Sequence, residues 1–256
     1  MKAGNTRRAP CPACDRGPGD RALAVTTDDR GTVSYCHRCG YRAADNARIE
    51  RYDVARQVHH EEHRPDLAAI WAKTVPLRGT LGETYLHHRH CALPPADSDL
   101  RYLPASERHP PSLCALVTDA ITAEPMTLHF TRLRPDGLGK AGTERDKLLL
   151  KGHRKAGGVI RLWPDEAVTH GLGVGEGIET MLSAAHGYTP VWGCIDAGNM
   201  AAFPVLAGIE ALVIFADNDP PGLKAAQECA QRWADAGRDV RLVMPESGDM
   251  NDAVAA

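Results

Sequence analysis

The sequence predicts an α/β protein, a mainly parallel sheet with helices on both faces, led by a small N-terminal β module. From Gly171 onward, short apolar runs alternate with amphipathic stretches. That is the pattern of strand–helix–strand units with right-handed crossovers. Ahead of them, two Cys-x-x-Cys pairs bracket two short β-type runs. A chain of 256 residues, 43% apolar and 25% charged, has the size and composition of one or two globular cores plus such a module.

Cys11 and Cys14 stand in CPAC, and Cys36 and Cys39 in CHRC, with 21 residues between the pairs. Each pair sits on a tight turn, so four sulfurs can face one ion, as in tetrahedral zinc sites with Zn–S distances of about 2.3 Å. So small a module lacks a sufficient core, and structural zinc supplies about 10–16 kcal/mol of apparent binding energy. Ala22–Thr26 and Thr32–Tyr35 read as strands around the turn at 28–31, which makes residues 1–45 a zinc ribbon. Two disulfides would need an oxidising compartment. The stretch MKAGNTRRAPCPAC lacks the apolar segment of a secretory signal, and no apolar run approaches a membrane span, so a cytoplasmic location is expected. Cys91, Cys114, Cys194 and Cys229 lie unpaired among apolar residues and read as small buried hydrophobes. His37 and Arg38 lie inside the second pair, with Tyr41 and Arg42 just beyond. Such a tip can stack on unpaired bases and hold phosphates.

Residues 46–65 read as a polar linker ending at Pro65, and its His59, His60 and His63 as a solvated helix end. His87, His88 and His90 follow a helical stretch at Gly82–Leu86 and are expected to be exposed or to face nucleic acid. Residues 66–165 read as a basic subdomain. MTLHFTRLR alternates from Met126, Asp136-Gly137 offers a turn, and LLLKGH and GGVIRLW follow as strands. Residues 129–161 hold nine Lys/Arg against three Asp/Glu, and residues 162–256 hold four against fourteen. A basic middle suits phosphates and an acidic end suits cations. Lys147, Lys151, Arg154, Lys155 and Arg161 are the candidate phosphate-binding residues.

In residues 166–256, GLGVGEG reads as a strand ending in a glycine-rich turn and Ile178–His186 as a helix. Pro190–Ile195 is a predicted strand, Asn199–Leu206 a short helix and Glu210–Ala216 the strongest strand of the chain. Leu223–Ala236 is an amphipathic helix and Val240–Met244 a last strand. Glu176, Asp217, Asp219, Asp249 and Asp252 all fall just beyond predicted strands. Ligands of parallel sheets bind at the carboxyl ends of strands, and oxygen ligands of this kind suit Mg²⁺. Asp219 could equally cap the helix that follows it. The glycine run does not fit GxGxxG, and no GxxxxGK[ST] exists, so a dinucleotide site and an ATP-driven motor are unsupported.

VGEGIETMLSA, VWGCIDAGNM, VIFADNDPPGLKAA and MPESGDMNDAV together resemble the TOPRIM domain of phage- and plasmid-type DNA primases. TRLRPDGLGKAG…GGVIRLWP resembles the segment before it in that group, and GTLGETYLHHRHCALP an upstream helix. The resemblance implies Mg²⁺ or Mn²⁺ at Glu176, Asp217, Asp219 and Asp249, with Glu176, Asp217 and Asp219 catalytic. Glu179 stands where many primases have Asp and would aid a second metal. Asn251 falls where a further Asp is frequent, with Asp252 as its replacement. The implied activity is synthesis of short oligoribonucleotides, a 3′-hydroxyl attacking the α-phosphate of the next nucleotide and pyrophosphate leaving. Implied partners are single-stranded DNA, ribonucleoside triphosphates and a replicative helicase or replication-initiation protein. A TOPRIM-type nuclease and a non-catalytic single-strand-binding module are the alternative readings.

Overall fold

The computed structural model describes residues 5–14, 16–28, 31–44, 65–107, 109–246 and 248–255. The chain divides into two compact units between Arg64 and Pro65. Except for Pro65, the expected linker, with His59, His60 and His63, lies outside the described residues. Among the described residues, no helix is long and apolar enough to cross a membrane.

The first unit is an antiparallel sheet of β1 (Asn5–Ala9), β2 (Leu23–Asp28), β3 (Gly31–Cys36) and β4 (Arg42–Ala44), in that order. β2 and β3 are the expected pair. Leu23 and Val25, two apart on one face, turn inward beside Cys11 and Cys36. β1 (NTRRA) and β4 (RAA) carry no apolar alternation, and ladder hydrogen bonds to β2 and β3 recruit them. Among the described residues this unit buries four side chains, two of them cysteines of the quartet.

The second unit begins with α1 (Leu67–Trp71), α2 (Leu81–His88), β5 (Leu100–Leu103), β6 (Ser112–Asp119), β7 (Pro125–Arg132), β8 (Lys147–Leu149) and β9 (Gly158–Arg161). It continues with β10 (Gly171–Gly175), α3 (Ile178–Ala184), β11 (Val191–Gly193), α4 (Ala197–Ala201), β12 (Ala211–Phe215), α5 (Pro220–Asp235), β13 (Asp239–Val243) and α6 (Met250–Ala255). Nine strands make one sheet, ordered β13-β12-β10-β11-β9-β6-β7-β8, with β5 also on β6. β10, β11, β12 and β13 run parallel, as expected. β9 pairs antiparallel with both β11 and β6, and the sheet continues antiparallel through β5, β7 and β8.

Strand alternation divides the core between the two faces of this sheet. Leu172, Val174, Leu212 and Ile214 join Met200, Phe203, Ala226 and Trp233 of the α4–α5 side. Val213 and Phe215 turn the other way, to Ile178, Met181 and Leu182 of α3. α5 starts three residues before the expected Leu223 because Asp219 accepts the Gly222 N–H at 2.7 Å and Pro220 occupies the first position. It buries Ala225, Ala226, Cys229 and Trp233 at helical spacing, and Trp233 stacks on Phe203 at 5.8 Å. α4 is shorter than expected, since Pro204 cannot continue a helix.

The glycines of GLGVG lie in β10, and the chain bends after them at Glu176-Gly177, as expected. Gly171, Gly173 and Gly175 share the face under α3, where side chains would obstruct its approach. A Cβ on Gly173 would stand 2.9 Å from Val191 Cγ1, and one on Gly175 2.5 Å from Met181 Sδ and 2.7 Å from the Phe215 carbonyl oxygen. Gly175→Ala should therefore cost about 1–3 kcal/mol by overpacking, seen as a lower melting temperature. Gly187→Ala, whose Cβ would meet nothing nearer than 3.9 Å, is the matched control. Equal melting of the two variants would refute this packing role.

Candidate metal and phosphate centre

From β10 the chain passes to β11 on one side, then crosses back to β12 on the other. Such a reversal of strand order opens a crevice at the carboxyl ends of the two diverging strands. Glu176 directly follows β10, and Asp217 and Asp219 follow β12, so the crevice is acidic. A Cβ on Gly222 would stand 3.0 Å from Asp219 Oδ1 and 3.2 Å from Glu176 Oε1, so α5 enters the site with its smallest residue. Asp249, beyond β13, is the strongest neighbouring charge on Asp217.

Crowding shows in the protonation of these groups. Burial first, then Asp217 and Asp219, push the Glu176 carboxyl up to about 7. Burial and Asp249 raise Asp217 to about 6. Asp217 Oδ1 is buried without a hydrogen-bond partner. A cation would relieve all three features. Among the described residues, only the four cysteines bring three or more Cys, His, Asp or Glu ligand atoms within 4.8 Å of one another. The acidic crevice is looser, which fits Mg²⁺, a cation that keeps several waters and takes one or two carboxylates.

Asp219 combines both expected possibilities, since it lies in the crevice and also caps α5. Asp252 lies one turn beyond Asp249, and the two cap each other: Asp249 Oδ1 accepts the Asp252 N–H at 2.9 Å. Asn251 points inward, 1% exposed, donating to Ser183 Oγ at 2.9 Å and to the Arg89 carbonyl. It fastens α6 to α3, which explains an amide at that position.

Two expectations need correction. Glu179 is not open to a metal: it is 5% exposed, and both its carboxylate oxygens are occupied. Oε1 accepts from the Tyr85 hydroxyl and pairs with Lys140 Nζ at 3.1 Å, and Oε2 pairs with Lys147 Nζ at 2.5 Å. These ammonium groups hold its carboxyl down to about 2, against the opposing effect of its burial. Arg161 is not a phosphate ligand. It is 7% exposed, bonded to Asp165, Thr118 Oγ1 and the Asp119 carbonyl, with its guanidinium 4.5 Å from the centre of the Trp192 ring. Its work is to join β9 to β6 and β11.

Of the other basic residues, Lys155 pairs with Asp196, whose charge also raises Glu176. Lys147 lies near enough to Asp217 to oppose the rise of its carboxyl. Arg154 pairs with Asp119 at 3.2 Å, and Lys151 is exposed. His87, His88 and His90 are exposed. Tyr85, Lys140, Asp196 and Gly222 were not singled out from sequence. Only Asp196, just beyond β11, shares the strand-end position that marks the other acids.

In the first unit, Cys11 and Cys39 lie 3.7 Å apart at sulfur, as do Cys14 and Cys36. A tetrahedron with Zn–S bonds of about 2.3 Å has S···S edges of about 3.8 Å, so the quartet fits zinc. Gly40, at φ +75°, turns its N–H onto the Cys36 carbonyl at 3.0 Å and closes the second knuckle. Arg38 reaches Asp20 at 2.9 Å, and Asp20 also accepts the Cys11 N–H, which ties the two knuckles. His37 meets Tyr35 edge-on at 5.0 Å, and the Arg42 guanidinium lies 5.7 Å from the Tyr35 ring centre.

Residues 171–256 match the Toprim domain family. The C-terminal segment is a Toprim domain. Residues 61–162, ahead of the Toprim domain, match a domain of unknown function (DUF7146). The fold resembles the zinc-binding and RNA polymerase domains of the Aquifex aeolicus primase, with TM-score 0.50 and 14% identity over 100% of this chain and 76% of that one. Weaker likenesses are the primase fragment of the bacteriophage T7 primase-helicase protein, with TM-score 0.43 and 16% identity over 96% and 92%, and a Pseudomonas aeruginosa DNA primase domain, with TM-score 0.40 and 13% identity over 70% and 56%. No curated protein sequence matches the chain. The chain thus joins a Toprim domain, in a primase-like fold, to a four-cysteine ribbon.

Proposed function

We propose that this chain is a DNA primase that makes short oligoribonucleotides on single-stranded DNA by Mg²⁺-dependent nucleotidyl transfer. The observation that carries the reading is the crevice of the Toprim domain, where Glu176, Asp217, Asp219 and Asp249 gather at the strand-order reversal. These residues would hold Mg²⁺, which when bound neutralises phosphate charge in the transition state. Glu176, just beyond β10 and close to Asp217 and Asp219, is also the carboxylate placed to accept the 3′-hydroxyl proton. Lys151 would supply positive charge for template or nucleotide phosphates directly, and Lys147, Arg154 and Lys155 would do so while sharing it with Glu179, Asp119 and Asp196. We assign residues 1–45 as template reader, 46–65 as linker, 66–165 as a basic subdomain and 166–256 as the catalytic Toprim subdomain. His37, Arg38 and Arg42 would meet template bases and phosphates on the ribbon.

The deciding experiment incubates the full chain with single-stranded DNA of mixed sequence, Mg²⁺ and labelled ribonucleoside triphosphates. Short labelled oligoribonucleotides that disappear on chelation are expected. Strand cleavage without incorporation would overturn this reading in favour of a nuclease, and DNA binding with neither product would leave a binding module.

A further inference from the structure

Glu179 is a buried carboxylate that carries two ammonium groups, Lys140 at 3.1 Å and Lys147 at 2.5 Å, and accepts from the Tyr85 hydroxyl. The carboxylate side chain is 6% exposed, whereas the two lysine side chains are 34% and 45% exposed. The trio therefore presents a net positive charge to solvent from an anchor that solvent cannot reach. A buried ion pair is poor as a stabilising device, because desolvation offsets its attraction. It is good at fixing two long, flexible side chains in one place before a ligand arrives. Three elements are committed to it: Tyr85 from α2, Lys147 from β8 and Glu179 from α3. His129, on β7 opposite Leu149 of β8, is close enough for its ring to feel both Lys147 and Glu179, and its Nδ1 is buried without a partner.

We infer that Glu179 is a positioning residue: with Tyr85 it holds Lys140 and Lys147 as a two-ammonium seat for the triphosphate of an incoming nucleotide, beside the acidic crevice rather than within it. Naming the anion a nucleotide triphosphate rests on the nucleotidyl-transfer reading. A metal-ligand role for Glu179 would leave its two lysines without an anchor. A purely neutralising role would make it an impediment to anion binding, and that difference fixes the test.

Binding of inorganic triphosphate to the full chain, without Mg²⁺, is measured by titration calorimetry for the parent, Lys147→Met, Glu179→Gln and Tyr85→Phe. Lys147→Met should weaken binding about tenfold, and Glu179→Gln about fivefold although it removes a negative charge, because the ammonium groups lose their pre-set position. Tyr85→Phe changes no charge and should weaken binding about threefold. It keeps the test valid if Glu179→Gln melts early. The double variant Glu179→Gln/Lys147→Met should bind no more weakly than Lys147→Met by more than about twofold, since the two act as one unit. In primer synthesis, Glu179→Gln should raise KM for nucleotides more than it lowers kcat, while affinity for single-stranded DNA stays unchanged.

Triphosphate binding by Glu179→Gln as tight as the parent's, or tighter, overturns the seat. A loss confined to single-stranded DNA affinity overturns the nucleotide as its ligand in favour of the template backbone. If the chain makes no oligoribonucleotide yet follows this triphosphate pattern, the primase reading fails and the seat stands. If it makes primers while its triphosphate affinity ignores Glu179→Gln and Tyr85→Phe, the seat alone fails.

Discussion

Asp217→Asn is expected to cut oligoribonucleotide synthesis on the order of a thousandfold, because it removes one of the charges that would hold the catalytic cation. The same variant should not be less stable in metal-free buffer. Asp217 is penalised by burial and by Asp249 and Asp219, and its Oδ1 has no partner. A carboxylate strained in this way serves function at the expense of stability. Asp219→Asn is a second variant for the same experiment. Asp219 caps α5, and Asn caps about as well as Asp, so Asp219→Asn would leave the cap in place.

The pH dependence carries a definite sign. Unfolded Asp and Glu titrate near about 3.9 and 4.3. In the fold, burial and neighbouring carboxylates push Asp217 up to about 6 and Glu176 up to about 7. Between those limits the native state binds more protons than the unfolded chain, so stability falls as pH rises. The stabilising contribution is complete below about pH 4 and is lost as pH climbs through 6 and 7. Metal-free parent should therefore melt progressively lower across that window, and Asp217→Asn should show a shallower decline. Saturating Mg²⁺ should oppose the decline in the parent, since a ligand of the native state adds about 2.7 kcal/mol at one hundred times its Kd. Melting curves at pH 4.5 to 8, with and without Mg²⁺, paired with primer synthesis, check all three expectations. An Asp217→Asn variant that keeps activity within tenfold of the parent, and keeps its Mg²⁺-dependent gain in melting temperature, would refute the site.

Much of this centre was legible because its signals are local. Asp217 and Asp219 follow the most apolar strand of the chain, and Glu176 follows a strand that its neighbours require. The cysteine pairs announce themselves by spacing. What was not legible depends on contacts between distant segments. Nothing around Glu179 says that Lys140, Lys147 and Tyr85 converge on it, because they come from parts of the chain 32 to 94 residues away. Arg161 looked like one more cation in a basic run. Its strand is central in the sheet, between β6 and β11, and its side chain turns inward to Thr118 and Trp192. The GLGVG glycines imitate a phosphate loop in composition, and only the packing of Met181 and Val191 reveals why side chains are missing there. β1 and β4 lie beyond any periodicity argument, since their partners and not their own residues make them strands.

Cys14→Ser should remove the zinc from the ribbon and with it the fold of that unit, while the Toprim-bearing unit keeps its melting transition. The reasoning is energetic. The ribbon core comprises Leu23, Val25, Cys11 and Cys36, and two of those four are proposed metal ligands. Two apolar side chains contribute about 3–6 kcal/mol on burial, less than the about 10–16 kcal/mol that a structural zinc supplies. A three-thiolate site left by Cys14→Ser would lose the edge to Cys36, 3.7 Å away, and hold the first turn through Cys11 alone. Metal analysis should fall from one zinc per chain to well below one, and amide exchange in β2 and β3 should become fast. The catalytic consequence is selective under the proposed function. The acids of the crevice lie in the other unit, so extension of a supplied oligoribonucleotide should persist, whereas initiation at a template site should fall at least a hundredfold. The decisive measurement runs both assays on one preparation of the variant. Equal loss of initiation and extension would mean that the ribbon supports the catalytic unit itself, and full retention of initiation would mean that the ribbon does not read the template.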